Sequence, residues 1–127
     1  MWHEPGLPVA FFAGESSEPF GEKLSALDQP SYLDGYLPIV TIDYRDGGSV
    51  YRQESFAPVT AEPASHGVVL VRFSMTAGAG RVEARFPSSE SWRIEGGEVL
   101  NEQGACAAAF SGGWRWHADG SSLSVQL

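Results

Sequence analysis

The chain has 127 residues, with 8 basic side chains against 16 acidic ones and a formal charge of −8. That length supports one domain whose folding buries roughly two thirds of the surface of the unfolded chain, and the acidic balance repels phosphate backbones and anionic bilayers, so neither nucleic acid nor a membrane is an expected partner. No apolar run approaches the roughly 20 residues that span a bilayer, Met1-Trp2-His3-Glu4-Pro5 lacks the basic and apolar regions of a signal peptide, and Cys106 on its own excludes an internal disulfide or a thiolate zinc site.

Residues 1–36 are rich in Pro, Gly, Ser and Glu and show little periodicity, which predicts an irregular wrap. Within it, Val9-Ala10-Phe11-Phe12 is apolar enough for an edge strand, and Gly21 to Leu27 has room for about two helical turns between breakers. Residues 37–127 then read as the core of a sandwich. Leu37 to Ala57 forms one hairpin, because two runs rich in β-branched and aromatic residues flank Asp46-Gly47-Gly48, whose glycines supply the positive φ of a tight turn.

Two-residue alternation continues down the chain. Val69, Val71 and Phe73 share one face; Val82, Ala84 and Phe86 alternate with Arg81, Glu83 and Arg85; Trp92 and Ile94 alternate with Arg93 and Glu95. Trp114 and Trp116 alternate with Arg115 and His117, and Leu123, Val125 and Leu127 oppose Ser122, Ser124 and Gln126. Glycines at 78 and 80, 96 and 97, 112 and 113, and 120 punctuate these runs. The pattern predicts an all-β antiparallel sandwich of about eight strands. The sequence ends within an amphipathic strand, which reads as a truncation point. That strand is expected to pair inside a sheet or to meet a partner, either by self-association or by domain packing.

Gly35-Tyr36-Leu37-Pro38-Ile39-Val40-Thr41, Val50-Tyr51-Arg52-Gln53-Glu54-Ser55-Phe56-Ala57 and Val68-Val69-Leu70-Val71-Arg72-Phe73 together resemble the N-terminal β-sandwich of bacterial six-hairpin glycosidases. In that group a β-supersandwich precedes an α/α-toroid that holds the catalytic carboxylates. The similarity runs from about Asp34 to Leu127 and includes no toroid segment, so it implies a carbohydrate context and carries over no catalytic residue. It also implies an extracellular or periplasmic setting if the chain belongs to a larger secreted glycosidase.

The densest group of ligand-capable residues is Trp114, Arg115, Trp116, His117 and Asp119. Aromatic planes pack on the C–H faces of sugar rings, and Arg, His and Asp hydrogen-bond hydroxyls, so the group suits a polysaccharide or oligosaccharide. If the tryptophans face inward they are core, and Arg115 and His117 then point outward, to line a groove with Tyr51, Gln53 or Arg93 from other strands. Glycoside hydrolysis needs two carboxylates about 5 to 10 Å apart. Asp43 and Glu54, across one hairpin, are the candidate pair, although sixteen acids on a small surface make chance proximity common.

Metal and cofactor signals are sparse. His3, His66 and His117 have no ligand spacing in sequence, His66 reads as a solvated loop residue, and Cys106 among alanines reads as a small buried hydrophobe. His3 at the third position is able to wrap Cu(II) with the α-amine and two amides, an adventitious arrangement in most chains. No nucleophile elbow or phosphate loop is present, and Lys23 is the one lysine, so no cofactor is expected. The leading expectation is a non-catalytic carbohydrate-binding β-sandwich module, or the equivalent domain of a glycosidase. The alternatives are a small glycoside hydrolase using Asp43 and Glu54, and a structural or assembly domain.

Overall fold

A computed structural model describes residues 7–127; His3 and its copper-binding reading lie outside the described residues. The described chain is all-β, with every strand pairing antiparallel. Its strands are β1 (Ala10–Ala13), β2 (Glu18–Pro19), β3 (Ser31–Tyr32), β4 (Val40–Asp46), β5 (Ser49–Phe56), β6 (Leu70–Ala77), β7 (Arg81–Arg85), β8 (Arg93–Glu95), β9 (Glu98–Leu100), β10 (Cys106–Ala109), β11 (Arg115–His117) and β12 (Ser122–Gln126). The chain divides into two compact units: the described part of Met1–Phe20 with Arg81–Gln126, and Gly21–Gly80 with Leu127.

The first unit is a small sandwich. Its five-stranded sheet has the order β11-β12-β7-β1-β2, and its three-stranded sheet the order β10-β9-β8. Alternation puts Val82, Ala84, Leu123 and Trp116 on one face of the larger sheet, where Ala84, Phe86 and Leu123 join Val99 from β9 in a buried core. Phe86 lies at the centre of an aromatic group, 5.5 Å from the ring of Trp92 and 5.7 Å from that of Trp116, both tilted in the favoured edge-on sense. The Trp92 indole N–H donates to Pro87 O at 2.9 Å, which leaves the ring free to be partly buried without an orphaned donor.

The apolar run at Val9 to Phe12 does form a strand, but an interior one: β1 pairs with β7 on one side and with the two-residue β2 on the other. β12 is also interior, held between β11 and β7. Cys106 differs from expectation. It stands exposed on β10, and partial desolvation together with the nearby Glu98 carboxylate pushes its thiol above the ordinary range, toward an unreactive state.

The second unit is built on the predicted hairpin. β4 and β5 pair through seven residue pairs from Val40↔Ser55 to Asp46↔Ser49, and the sheet has the order β3-β4-β5-β6. The segment leading into it runs along β4 through the pairs Leu27↔Tyr44 and Ser31↔Thr41, so part of the irregular wrap covers one edge of this sheet. Gly21 to Leu27 contains only a 3-10 turn over Leu24–Ala26. Residues Ala61–Ser65 form a short helix, α1, where a loop was expected; His66 follows it, exposed, and its Nδ1–H donates to Glu62 O at 2.8 Å.

Tyr44 and Tyr51 are fully buried on one face of the second sheet. Gly80 lies so close to Tyr51 that a Cβ there would sit 1.8 Å from the phenol oxygen, which explains the glycine at that position. The Gly80 and Leu127 backbones exchange two hydrogen bonds, of 3.1 and 2.8 Å.

Candidate functional site

The outer face of the five-stranded sheet collects polar side chains because each of its strands alternates. Register places Arg115 opposite Ser124 and Ser124 opposite Glu83, with His117 opposite Ser122 and Ser122 opposite Arg85. Gln126 lies opposite Arg81. The expected outward pair, Arg115 and His117, therefore sits on this face, and Trp116 sits on the other.

At one corner of the face is an open depression of about 580 Å³, lined by Arg81, Gly113, Arg115, His117, Ser124, Val125 and Gln126. Gly113 adds no side chain just ahead of β11, and its φ of +83° is a left-handed conformation natural to glycine. His117 is fixed in orientation, with its Nε2 and the Ser124 hydroxyl 2.8 Å apart in a hydrogen bond. Two guanidinium groups, an imidazole, a hydroxyl and an amide thus converge on this space, and no carboxylate lines it.

Next to the depression, Glu83 organises the remaining cations. Arg85 binds both of its oxygens at 3.1 Å, the Ser17 hydroxyl donates to it at 3.3 Å, and Arg81 approaches at 3.8 Å. The Arg85 hydrogen bonds, reinforced by Ser122, hold the Glu83 carboxyl at a pKa of about 2 against the desolvation of its buried position. Arg85 also lies over the Phe12 ring, 3.8 Å from its centre, and covers the one aromatic plane that β1 turns to this side.

The aromatic residues singled out in the sequence occupy other places. Trp114 and Trp116 pack against the core cluster, and Tyr51 is buried in the second unit with 2% of its surface exposed. Asp119 falls in the 3-10 turn between β11 and β12 and does not line the depression.

Asp43 and Glu54 do share a face of the second sheet, but each is engaged by an arginine. Asp43 accepts two 2.7 Å hydrogen bonds from Arg52, its partner across the hairpin. Glu54, 5% exposed, accepts from Arg72, its partner on β6. The Arg72 hydrogen bond lowers the Glu54 pKa, opposing its burial. The face is an ion-pair ladder in which each of the two carboxylates is engaged by an arginine.

No group of three or more His, Cys, Asp or Glu residues among the described residues is arranged to hold a metal ion. Among those residues, no helix is long and apolar enough to cross a membrane. Comparison with known protein families, with curated proteins and with solved structures finds no match to this chain.

Sequence patterning alone does not reveal the depression. Arg115 and His117 carried a signal there through their alternation with the tryptophans. Arg81, Ser124 and Gln126 had none until strand order brought β7 and β12 beside β11.

Proposed function

We propose that the protein is a non-catalytic carbohydrate-binding β-sandwich module, and that the glycan lies on the outer face of the five-stranded sheet. The observation that carries this reading is the depression bounded by Arg81, Arg115, His117, Ser124 and Gln126. Such a set matches a sugar in two ways. Its donors and acceptors are mixed, as hydroxyls require, and they stand on strands whose spacing of about 4.8 Å is close to the width of a pyranose ring. Recognition here works by hydrogen bonding, since Tyr51 is buried and Trp114 and Trp116, half-buried, pack against the core cluster on the opposite face of the sheet.

Burial of this kind predicts weak binding, because an open polar site exchanges water for ligand hydrogen bonds at little net gain. Affinity electrophoresis through soluble polysaccharides tests the reading, since retardation registers millimolar affinity. Retardation by at least one glycan is expected, and migration unchanged by every glycan would overturn it.

A second reading, an assembly domain, is favoured by one observation. β6 is an outer strand of the second sheet, and Val68, Val69, Leu70 and Val71 are exposed at 40%, 64%, 42% and 39% along and just before it. Sedimentation of the purified protein separates the two, because strand addition on β6 would give concentration-dependent association.

A further inference from the structure

We infer that the depression between Arg81 and Arg115 receives an anionic group, the carboxylate of a uronic acid or a sulfate ester, so that the ligand is an acidic glycan. This rests on the glycan-binding reading above and names its chemical class. The charge pattern leads to it. Arg45, Arg52, Arg72, Arg85 and Arg93 each pair with an acid: Asp28, Asp43, Glu54, Glu83 and Glu95. Arg81 reaches Glu83 only at 3.8 Å, behind Arg85, which already occupies both carboxylate oxygens. Arg115 has no acidic partner among the described residues. In a chain with twice as many acids as bases, this depression has no carboxylate in its lining and holds the two guanidinium groups that are under-paired among the described residues.

The geometry suits one anion better than a row of hydroxyls. Arg115 on β11 and Arg81 on β7 stand two strands apart and two residues out of register, about 12 Å along the diagonal of the sheet, which extended guanidinium side chains bridge around a single bound group. Each offers a planar fork matched to two oxygens, and charge-assisted bonds of this type are roughly twice as strong as neutral ones. Ser124, His117 and Gln126 remain for the neighbouring hydroxyls. The net charge of −8 opposes approach of a polyanion, but at physiological ionic strength that repulsion is screened beyond about 8 Å, whereas the forks act at contact.

The test compares the whole protein with its Arg115→Gln and Arg115→Lys variants against polygalacturonate, a sulfated galactan and a neutral β-glucan, with galacturonate and sulfate ions as small probes followed by NMR. Retention by one of the two acidic polymers identifies carboxylate or sulfate as the group read. Arg115→Gln is expected to weaken that binding about tenfold, Arg115→Lys to recover only part of it, and both to keep the wild-type melting midpoint. Retention by the neutral glucan, undiminished in Arg115→Gln, would overturn the anionic assignment and leave the glycan reading standing. Shifts at Arg81, Arg115 and His117 with the small anions, without retention by any polymer, would keep the anion site and overturn the glycan. No response to any polymer or ion would overturn both.

Discussion

Arg115 and Trp116 are neighbours with opposite tasks, and substitution separates them. Trp116 packs its ring 5.7 Å from Phe86 inside the sandwich of the first unit. Removing it in Trp116→Ala opens a cavity that the surrounding rings fill only in part, and the expected cost is about 3 kcal/mol of unfolding free energy. Arg115 is exposed and unpaired among the described residues, so Arg115→Gln is expected to leave stability within about 0.5 kcal/mol of wild type. Urea denaturation of the two variants checks this, and a large loss of stability in Arg115→Gln would contradict the division of roles. The same logic applies to Glu54→Gln. It breaks the ion pair with Arg72 at a buried position, so reduced stability in urea is the expected result.

Elements explain which parts of the fold were legible in the sequence. Period-two alternation and the Asp46-Gly47-Gly48 turn were enough to place β4, β5, β7, β11 and β12, and to put Trp116 and Arg115 on opposite faces. β2 and β3 escaped because two-residue strands carry no period, and β10 because alanine has little preference for strands. The interior place of β1 was invisible for another reason: its partner β7 lies some 70 residues away, and sequence patterns do not reveal long-range pairing. The site had the same obstacle. Its cations come from β7 and β11, which only the strand order brings to one face. Close approach is similarly hidden, and Gly80 is the case in point. Gly80→Ala would drive a methyl into the Tyr51 phenol, so a loss of about 2 kcal/mol or more is expected by thermal melting. Pairing it with Tyr51→Ala should cost less than the sum of the two single changes, because the clash then has no partner.

For the whole molecule, carboxylates held by arginines make stability depend on pH in acid. Glu83 is the clearest contributor, with a folded pKa of about 2 against 4.5 for an ordinary glutamate. A depressed folded pKa adds stability that is complete above the unfolded value and is lost as pH falls from about 4.5 through about 2. That loss is expected to reach up to about 3 kcal/mol, and Glu83→Gln should flatten the acid limb of the stability curve. Glu54 acts in the same direction through Arg72. An acid limb unchanged in Glu83→Gln would mean that the arginines around it do not hold the carboxylate in its ionised form.

The central claim is the place of binding: the outer face of the five-stranded sheet, with the tryptophans behind it. The most direct measurement is a two-dimensional amide NMR titration of the intact protein with an acidic oligosaccharide such as oligogalacturonate. The expected result is saturable shifts at residues 81, 113, 115, 117, 124 and 126, with the midpoint of the titration raised about tenfold in Arg115→Gln. Shifts centred instead on the ion-pair ladder of Asp43, Arg52, Glu54 and Arg72, or on the exposed valines of β6, would contradict it.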